Sequence, residues 1–437
     1  MLSMKKSVLY SIFLLNLGFI IWFWLGSSRA FLEGTGYMQL IAWGRVVGLV
    51  AEYAVLLQLI LIGRISWIEQ VFGHDRMNRM HRFVGYSVIF FLLAHPTLLI
   101  VGYAGISGVS FLGQTMDFLV HKDDVLKAAV GLCIFAFVIA VSVPVVRKRL
   151  RYETWYFTHL LLYLAILLAF DHQVKFGDFE GNTTRIAYWY ALNFAVFGAF
   201  GAYRFLRPVW RMYRHRFRVD RVVQETHDVW SIYISGRDIG AFMFQPGQFA
   251  NLTFLTRGFW FTHPFSFSVA PNSEYIRFSV KASGDFTDKI ALIPVGTYVI
   301  VDGPLGIFTE ASAVRGKFLF IAGGIGITPI RALTESLLRE HRDMVLLYGN
   351  KTAEDIVFAR EFADYHMPMH VVLSQTAGAG AYETGHIDKE KIQRLVPDFK
   401  DREVFLCGPV GMMDTVVYAL RELGLPSSQI HFEKFSY

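Results

Sequence analysis

The stretch HRFVGYSVIFFLLAH, residues 81–95, begins and ends on a histidine inside an apolar run. A second stretch, HLLLYLAILLAFDH at residues 159–172, repeats the arrangement. The histidines lie fourteen residues apart in the first and thirteen in the second. On a helix rising about 1.5 Å per residue, either spacing separates them by roughly 20 Å, nearly four turns, and the fourteen-residue spacing returns close to one face. Two such helices side by side hold two histidine pairs, one above the other.

A single intramembrane histidine would simply hydrogen-bond between helices or titrate in a proton path. Four at matched depths predict more, because a polar group in lipid is costly and neutral imidazole is a good haem ligand. The reading is two bis-histidine haems, His81 with His159 and His95 with His172. Cys133 and Cys407 are the only cysteines. That excludes a disulfide framework, an iron–sulfur cluster and covalent haem attachment. His74 and His121 lie in loops and are expected at the surface.

Composition agrees with a membrane setting: 54% of the 437 residues are hydrophobic and mean hydropathy is +0.38, above the values of soluble domains. The apolar runs lie before about residue 206, and from about 215 short segments of ordinary polarity alternate. Six spans are predicted, at about 7–25, 41–63, 82–103, 125–146, 155–174 and 186–206. The first is read as a retained helix because its apolar run is long for a signal peptide. The net charge of +6 would suit nucleic acid, but the basic residues cluster beside the spans. Arg64, Arg76, Arg79 and Arg82, then Arg147, Lys148, Arg149 and Arg151, then Arg204 to Arg218 fall at alternate ends. Basic loops mark the cytoplasmic side. The N-terminus and the polar half are therefore expected in the cytoplasm, with His81 and His159 inside and His95 and His172 outside. Arg45, near the outer end of the second span, either snorkels to headgroups or meets a haem propionate or a bound acceptor such as dioxygen.

Residues 218–310 show short alternating strands and turns, such as Phe244-Gln245-Pro246-Gly247-Gln248-Phe249, and predict an antiparallel β-barrel. Within it lie His263-Pro264-Phe265-Ser266-Phe267-Ser268 and Lys281-Ala282-Ser283-Gly284-Asp285-Phe286-Thr287. From about 314, the apolar strand Lys317–Ala322 runs into Gly323-Gly324-Ile325-Gly326-Ile327-Thr328-Pro329 and a helical pattern. Glycines let backbone N–H groups approach a pyrophosphate, and the helix N-terminus favours its charge. A further strand, Glu403–Leu406, ends in Cys407-Gly408-Pro409, at the carboxyl edge of a parallel sheet, where nucleotides bind. Asn350-Lys351-Thr352 follow the strand Val345–Tyr348, and no acidic residue ends that strand. Lys351, Thr352 and Arg360 are expected to meet a 2′-phosphate, so NADPH is favoured with NADH tolerated.

With the closing Phe432-Glu433-Lys434-Phe435, these motifs resemble the NADPH oxidase and ferric reductase transmembrane family, with a half similar to ferredoxin–NADP reductase. The resemblance covers nearly the whole chain and suits a compact prokaryotic form. It implies a six-helix transmembrane haem domain (1–210), an FAD-binding β-barrel domain (211–312) and an α/β NAD(P)H-binding domain (313–437). Phe265 would pack on the flavin and Ser266 would bond near its reactive nitrogen. His263, beside Pro264, replaces the arginine that such reductases use at the FAD phosphates, shifting that task to Lys281 and the Gly284, Asp285, Phe286, Thr287 turn. Gly323, Gly324, Gly326, Thr328, Pro329, Lys351, Cys407, Gly408 and Pro409 would hold the nicotinamide nucleotide. Phe435, or Tyr437 in a shifted register, would cover the flavin and gate it. The implied activity carries electrons from cytoplasmic NADPH through FAD and two b-type haems to an outer acceptor. Dioxygen, giving superoxide, is the first choice. Ferric chelates and a periplasmic or quinone partner are the alternatives. A bacterial inner membrane and no obligatory protein partner are expected.

Overall fold

The computed structural model describes residues 2–375, 380 and 382–433. The chain divides into two compact units: Met1–Ile65 with Arg76–Gly201, and Ser66–Asp75 with Ala202–Tyr437. The short segment 66–75, flanked by membrane-length helices, thus belongs to the second unit.

Helices α1 (Leu2–Leu32), α2 (Gly36–Ile62), α3 (Ser66–Phe72), α4 (His74–Ser107), α5 (Phe111–His121), α6 (Val125–Ser142), α7 (Pro144–Arg147), α8 (Tyr152–Lys175), α9 (Thr183–Gly201) and α10 (Arg207–His215) precede the first strand. Local chemistry sets several ends. Ser110 accepts the Gly113 N–H at 3.1 Å to open α5, and Val143 ends α6 where Pro144 starts α7. Five helices among the described residues are long and apolar enough to cross a membrane: α1, α2, α4, α6 and α8. The sixth expected span differs. Helix α9 forms, but Arg185, Asn193 and its tyrosines dilute the apolar run, and it gives way to a π turn at Ala202–Leu206. In the first unit α2, α4, α6, α8 and α9 share a core including Leu56, Leu59, Val88, Phe135, Ala165, Ile166 and Phe200. Small residues allow the approach: a Cβ on Gly131 would stand 2.8 Å from the Ala165 carbonyl oxygen.

In the second unit β1 (Arg218–Gln224), β2 (Val229–Ser235), β3 (Phe249–Phe254), β4 (His263–Ser266), β5 (Ile276–Lys281) and β6 (Val299–Leu305) come first. They form two antiparallel three-stranded sheets, ordered β1-β2-β5 and β4-β3-β6. The expected closed barrel is not made. Strand β4 stops at Ser266, and beyond it the sheets meet through single bridges, Phe267 with Phe278 and Arg218 with Tyr298. Alternate residues point inward, so Phe217, Ile232, Ile234, Phe254, Phe267 and Phe278 fill the space between.

Next come β7 (Lys317–Gly323), α11 (Ile327–Arg339), β8 (Asp343–Asn350), α12 (Ala359–Asp364), β9 (Met369–Leu373), β10 (Glu383–Thr384), α13 (Lys389–Leu395), β11 (Glu403–Cys407), α14 (Val410–Glu422) and β12 (Ile430–Phe432). Their sheet is parallel throughout and ordered β10-β9-β8-β7-β11-β12. Strands buried on both faces need apolar runs, which Phe318–Ala322 and Val404–Leu406 supply. Strand order reverses between β7 and β11, so a ligand crevice opens at their carboxyl ends.

Candidate functional site

In the first unit, α4 and α8 bring the four histidines into two pairs. Ring centroids of His81 and His159 are 6.4 Å apart, and those of His95 and His172 are also 6.4 Å apart. Two imidazoles gripping one metal from opposite sides need about that separation: roughly 2 Å of metal–nitrogen bond each, plus about 1 Å from nitrogen to ring centre. The second coordination sphere fits as well. His95 Nδ1 lies 2.8 Å from the Gly44 carbonyl oxygen, and His172 Nδ1 contacts the Ala169 carbonyl oxygen. A carbonyl only accepts, so each Nδ1 carries the proton and each Nε2 keeps its lone pair for a metal that would bind there. A Cβ on Gly48 would stand 2.5 Å from His95 Nδ1, so glycine leaves room for the ring. His159 Nδ1 is 3.4 Å from Ser142 Oγ, and Ser142 donates to the Val138 carbonyl at 2.7 Å. These residues fit two haems, which His81 with His159 and His95 with His172 would hold. Arg45 holds its guanidinium 4.3 Å from the Phe31 ring centre.

In the second unit a cleft of about 900 Å³ opens at the carboxyl ends of the parallel sheet and faces β4 and β5. It gathers Pro264, Phe265, Ser266, Lys281, Thr287, Gly323, Gly324, Gly326, Thr328, Lys351, Cys407, Gly408 and Pro409. The glycine turn packs directly on the Cys407-Gly408 backbone: a Cβ on Gly326 would overlap the Cys407 carbonyl. Gly324 takes φ +51° with open space beside it. Below, the buried Tyr348 hydroxyl donates to the Gly324 carbonyl at 3.1 Å. Burial, and then Glu433, pushes the Cys407 thiol up to about 12. It faces the cleft as a neutral thiol.

Other expected residues stand elsewhere. His263, Gly284, Asp285, Phe286 and Pro329 do not line the cleft. His263 lies against Phe286 at 3.9 Å between ring centres, and Pro329 is buried in the first turn of α11. The turn after β5 spends its own donors: Ser283 N–H bonds Thr287 Oγ1 at 2.9 Å and Gly284 N–H bonds Asp288 at 3.2 Å. Lys281 pairs with Asp228 at 2.9 Å. Phe435 and Tyr437 lie outside the described residues. His121 is exposed beside Asp117. His74 is not a surface residue; it is half-buried, 3.5 Å from Glu69 and edge-on to Phe249.

Asp355 also reaches the cleft, beside Lys351. Thr352 does not; its N–H and hydroxyl both bond the Asp355 carboxylate, at 2.9 and 3.0 Å, and fix its place. Arg360 is exposed and away from the cleft. Asn350 lines the cleft with both amide atoms buried. A charged clamp, unforeseen in the sequence, ties the two parts of this unit together. Arg277 of β5 and Arg331 of α11 both donate to the Ser268 carbonyl, at 2.8 and 3.0 Å, and both grip Glu361 of α12. Burial alone would raise the Glu361 carboxyl, but the two arginines outweigh it and hold it below the usual range.

Residues 47–170 match the family described as ferric reductase like transmembrane component. Residues 215–307 match an FAD-binding domain, and 320–417 an oxidoreductase NAD-binding domain. The chain is 29% identical over 249 residues to the glycine betaine monooxygenase reductase subunit of Chromohalobacter salexigens, spanning 53% of this chain and 68% of that protein. It is 30% identical over 226 residues to the NADH oxidoreductase HCR of Escherichia coli, spanning 50% and 67%. Among solved structures it is similar to the flavohem-like FAD/NAD-binding domain of nitric oxide dioxygenase from Vibrio cholerae, at 27% identity and TM-score 0.44, over 50% of this chain and 97% of that one. The chain thus has the NADPH oxidase/ferric reductase architecture, a ferric-reductase-like transmembrane component followed by a ferredoxin–NADP reductase-like dehydrogenase half, and is an NAD(P)H oxidoreductase of ferric-reductase type.

Proposed function

We propose that this chain takes electrons from a nicotinamide nucleotide in the cytoplasm and delivers them across the membrane to dioxygen, giving superoxide. The observation that carries the reading is the pair of equal 6.4 Å histidine separations on α4 and α8. Bound FAD and two b-type haems would supply the conversion of one two-electron donor into two one-electron deliveries. His81 with His159 would hold the inner haem and His95 with His172 the outer one. The Gly44 and Ala169 carbonyls orient the outer rings, and Ser142 orients His159. Phe265 and Ser266 present the flavin face and a hydroxyl at one wall of the cleft. Opposite them the Gly323–Thr328 turn, the start of α11 and the Cys407–Pro409 turn receive the nucleotide. Helix α9 crosses as a sixth span, sheltered by its neighbours, and the domains divide at about 210 and 312. The membrane is a bacterial inner membrane, and the basic loops keep the dehydrogenase half on the cytoplasmic side.

The coenzyme reading shifts from the expectation above. Lys351 is the one expected 2′-phosphate partner in the cleft, and Asp355 stands with it. A carboxylate there accepts from a ribose hydroxyl and repels a phosphate. NADH therefore serves at least as well as NADPH.

Reduced-minus-oxidised spectra with haem quantification test the central point: two haems per chain are expected, and fewer would sink it. NAD(P)H oxidation is then followed with superoxide dismutase and with a ferric chelate. Reduction of a chelate without superoxide would favour the ferric reductase reading.

A further inference from the structure

Helix α10 carries two faces that the proposed reaction leaves unused. At about 100° per residue its side chains sort into three stripes. Pro208 and His215 are buried against the rest of the second unit. Leu206, just before the helix, and Val209, Trp210 and Tyr213 follow one another at intervals of three and four residues, and all are exposed, Trp210 by 60% and Tyr213 by 78%. Between these stripes run Arg207, Arg211 and Arg214, one turn apart. Water alone gives no reason to line up a tryptophan, a tyrosine and two aliphatics with nothing over them. A membrane interface does, because amphipathic rings settle at headgroup depth with basic side chains beside them.

The arginines give the missing occupant its charge. Arg214 lies 3.5 Å from a carboxylate, that of Asp238. Arg207 instead donates to Ser66 Oγ at 2.8 Å, and Arg211 lies over the Phe242 ring at 5.3 Å. Both are half-buried, and among the described residues neither forms an ion pair with a carboxylate. Burial pushes the Arg207 guanidinium below its usual range, with Tyr203 and Glu69 offsetting only part of the shift. Burial and then the Arg207 charge bring Arg211 down to about 10. Two like charges one turn apart and partly desolvated call for an anion from outside the chain.

Continuity of the chain says where that anion comes from. Helix α9 passes into α10 through the π turn Ala202–Leu206 without an intervening loop. Helix α3, bonded to α10 through Ser66, exposes Trp67 as well. If α9 is a span, α10 starts at the cytoplasmic surface, where the phosphates of that leaflet lie. We propose that α10 lies in the cytoplasmic headgroup layer, with Arg207 and Arg211 holding the phosphate of an anionic phospholipid whose acyl chains cover Val209, Trp210 and Tyr213. The phosphate supplies the counter-charge that the protein does not. The inference rests on the reading of α9 as a sixth span and adds a ligand to it.

The test uses the full haem-loaded chain in nanodiscs of phosphatidylcholine with phosphatidylglycerol. A nitroxide on Tyr213→Cys should be reached more readily by dioxygen than by a water-soluble nickel chelate. Native mass spectrometry after release from the disc should find phosphatidylglycerol kept in preference to phosphatidylcholine, and inorganic phosphate should fail to displace it. That preference should fall by about fivefold in Arg211→Gln and return in Arg211→Lys. No preference in the wild type, which needs no variant to fold, overturns the proposal. So does equal access of both reagents to the label, or a label that protein shields from both. Arg211→Gln shedding a haem while keeping the lipid would overturn it too, since the arginine would then serve a haem propionate. The α9 reading is checked apart, at the exposed Glu180: a membrane-impermeant maleimide should modify Glu180→Cys from the outer side of sealed cells. Without that modification the span reading fails, and the lipid count still judges the arginines.

Discussion

The two units build their candidate sites from opposite materials. In the first, four imidazoles from two helices meet as two pairs, with backbone carbonyls behind His95 and His172. In the second, a cleft is walled largely by the turns that end β4, β7, β8 and β11. Their treatment of buried charge differs as well. The first unit has a hydrogen-bonded chain, Trp189 to Gln173 at 2.9 Å and Gln173 to Glu52 at 3.0 Å. The second joins opposite charges, Arg277 and Arg331 with Glu361. Side-chain ligands concentrate a site in a few atoms, so one substitution removes it. A backbone cradle spreads the task, so substitutions weaken it by degrees.

The sharpest way to break that contrast is at the histidines. His159→Ala or His81→Ala should abolish the inner haem and electron delivery to the acceptor, while NADH still reduces the flavin. His95→Ala or His172→Ala should spare the inner haem. Haem-to-protein ratios and reduced spectra read this out; two haems surviving the loss of His159 would end the comparison.

Next in size is the clamp. Glu361→Ala leaves the buried Arg277 guanidinium without its carboxylate and Arg331 with Glu335 alone. Removing one partner of a fully buried pair costs about 3–5 kcal/mol, and about 2–3 kcal/mol is expected here because Glu361 is 30% exposed. Denaturant unfolding followed at the flavin should show the loss, with the haem spectrum unmoved. The same carboxyl gives a pH dependence of definite sign. A lowered pKa stabilises the fold above the ordinary value of 4.5 and ceases to do so as pH falls through the lowered one. Thermal midpoints of the dehydrogenase half should fall on acidification, less steeply in Glu361→Gln.

A smaller effect tests the cradle. Gly326→Ala drives a methyl into the Cys407 carbonyl and should cost about 1–2 kcal/mol, read as a raised KM for NADH with bound haem unchanged. The smallest concerns coenzyme choice: Asp355→Ser should move the NADPH-to-NADH ratio of kcat/KM toward NADPH by roughly tenfold, equal to about 1.4 kcal/mol. An unchanged ratio would remove Asp355 from the ribose site.

Legibility in the sequence follows how local the cause is. Membrane-length helices and histidine depth depend on runs of neighbours, and α1, α2, α4, α6 and α8 stand where apolar length places them. The glycine turn and Cys407-Gly408-Pro409 are local too, and both reach the cleft. Helix α9 shows the limit: its polar content leaves it short of a membrane span on its own. In the Gly284 turn the Ser283 and Gly284 N–H groups bond Thr287 and Asp288, a choice of partner that spacing does not reveal.

Apolar periodicity, helical rise and glycine turns by themselves determined the helical membrane half, the paired histidines and the nucleotide cradle, because each acts over a few residues or one helix length. Only the tertiary structure decided that segment 66–75 belongs with the dehydrogenase half, that Glu69 meets Gly306 across 237 residues of chain, and that Arg277 finds Glu361 across 84. Such contacts follow from how sheets and helices pack, and buried charges and unpartnered oxygens take their meaning from neighbours that sequence order does not supply.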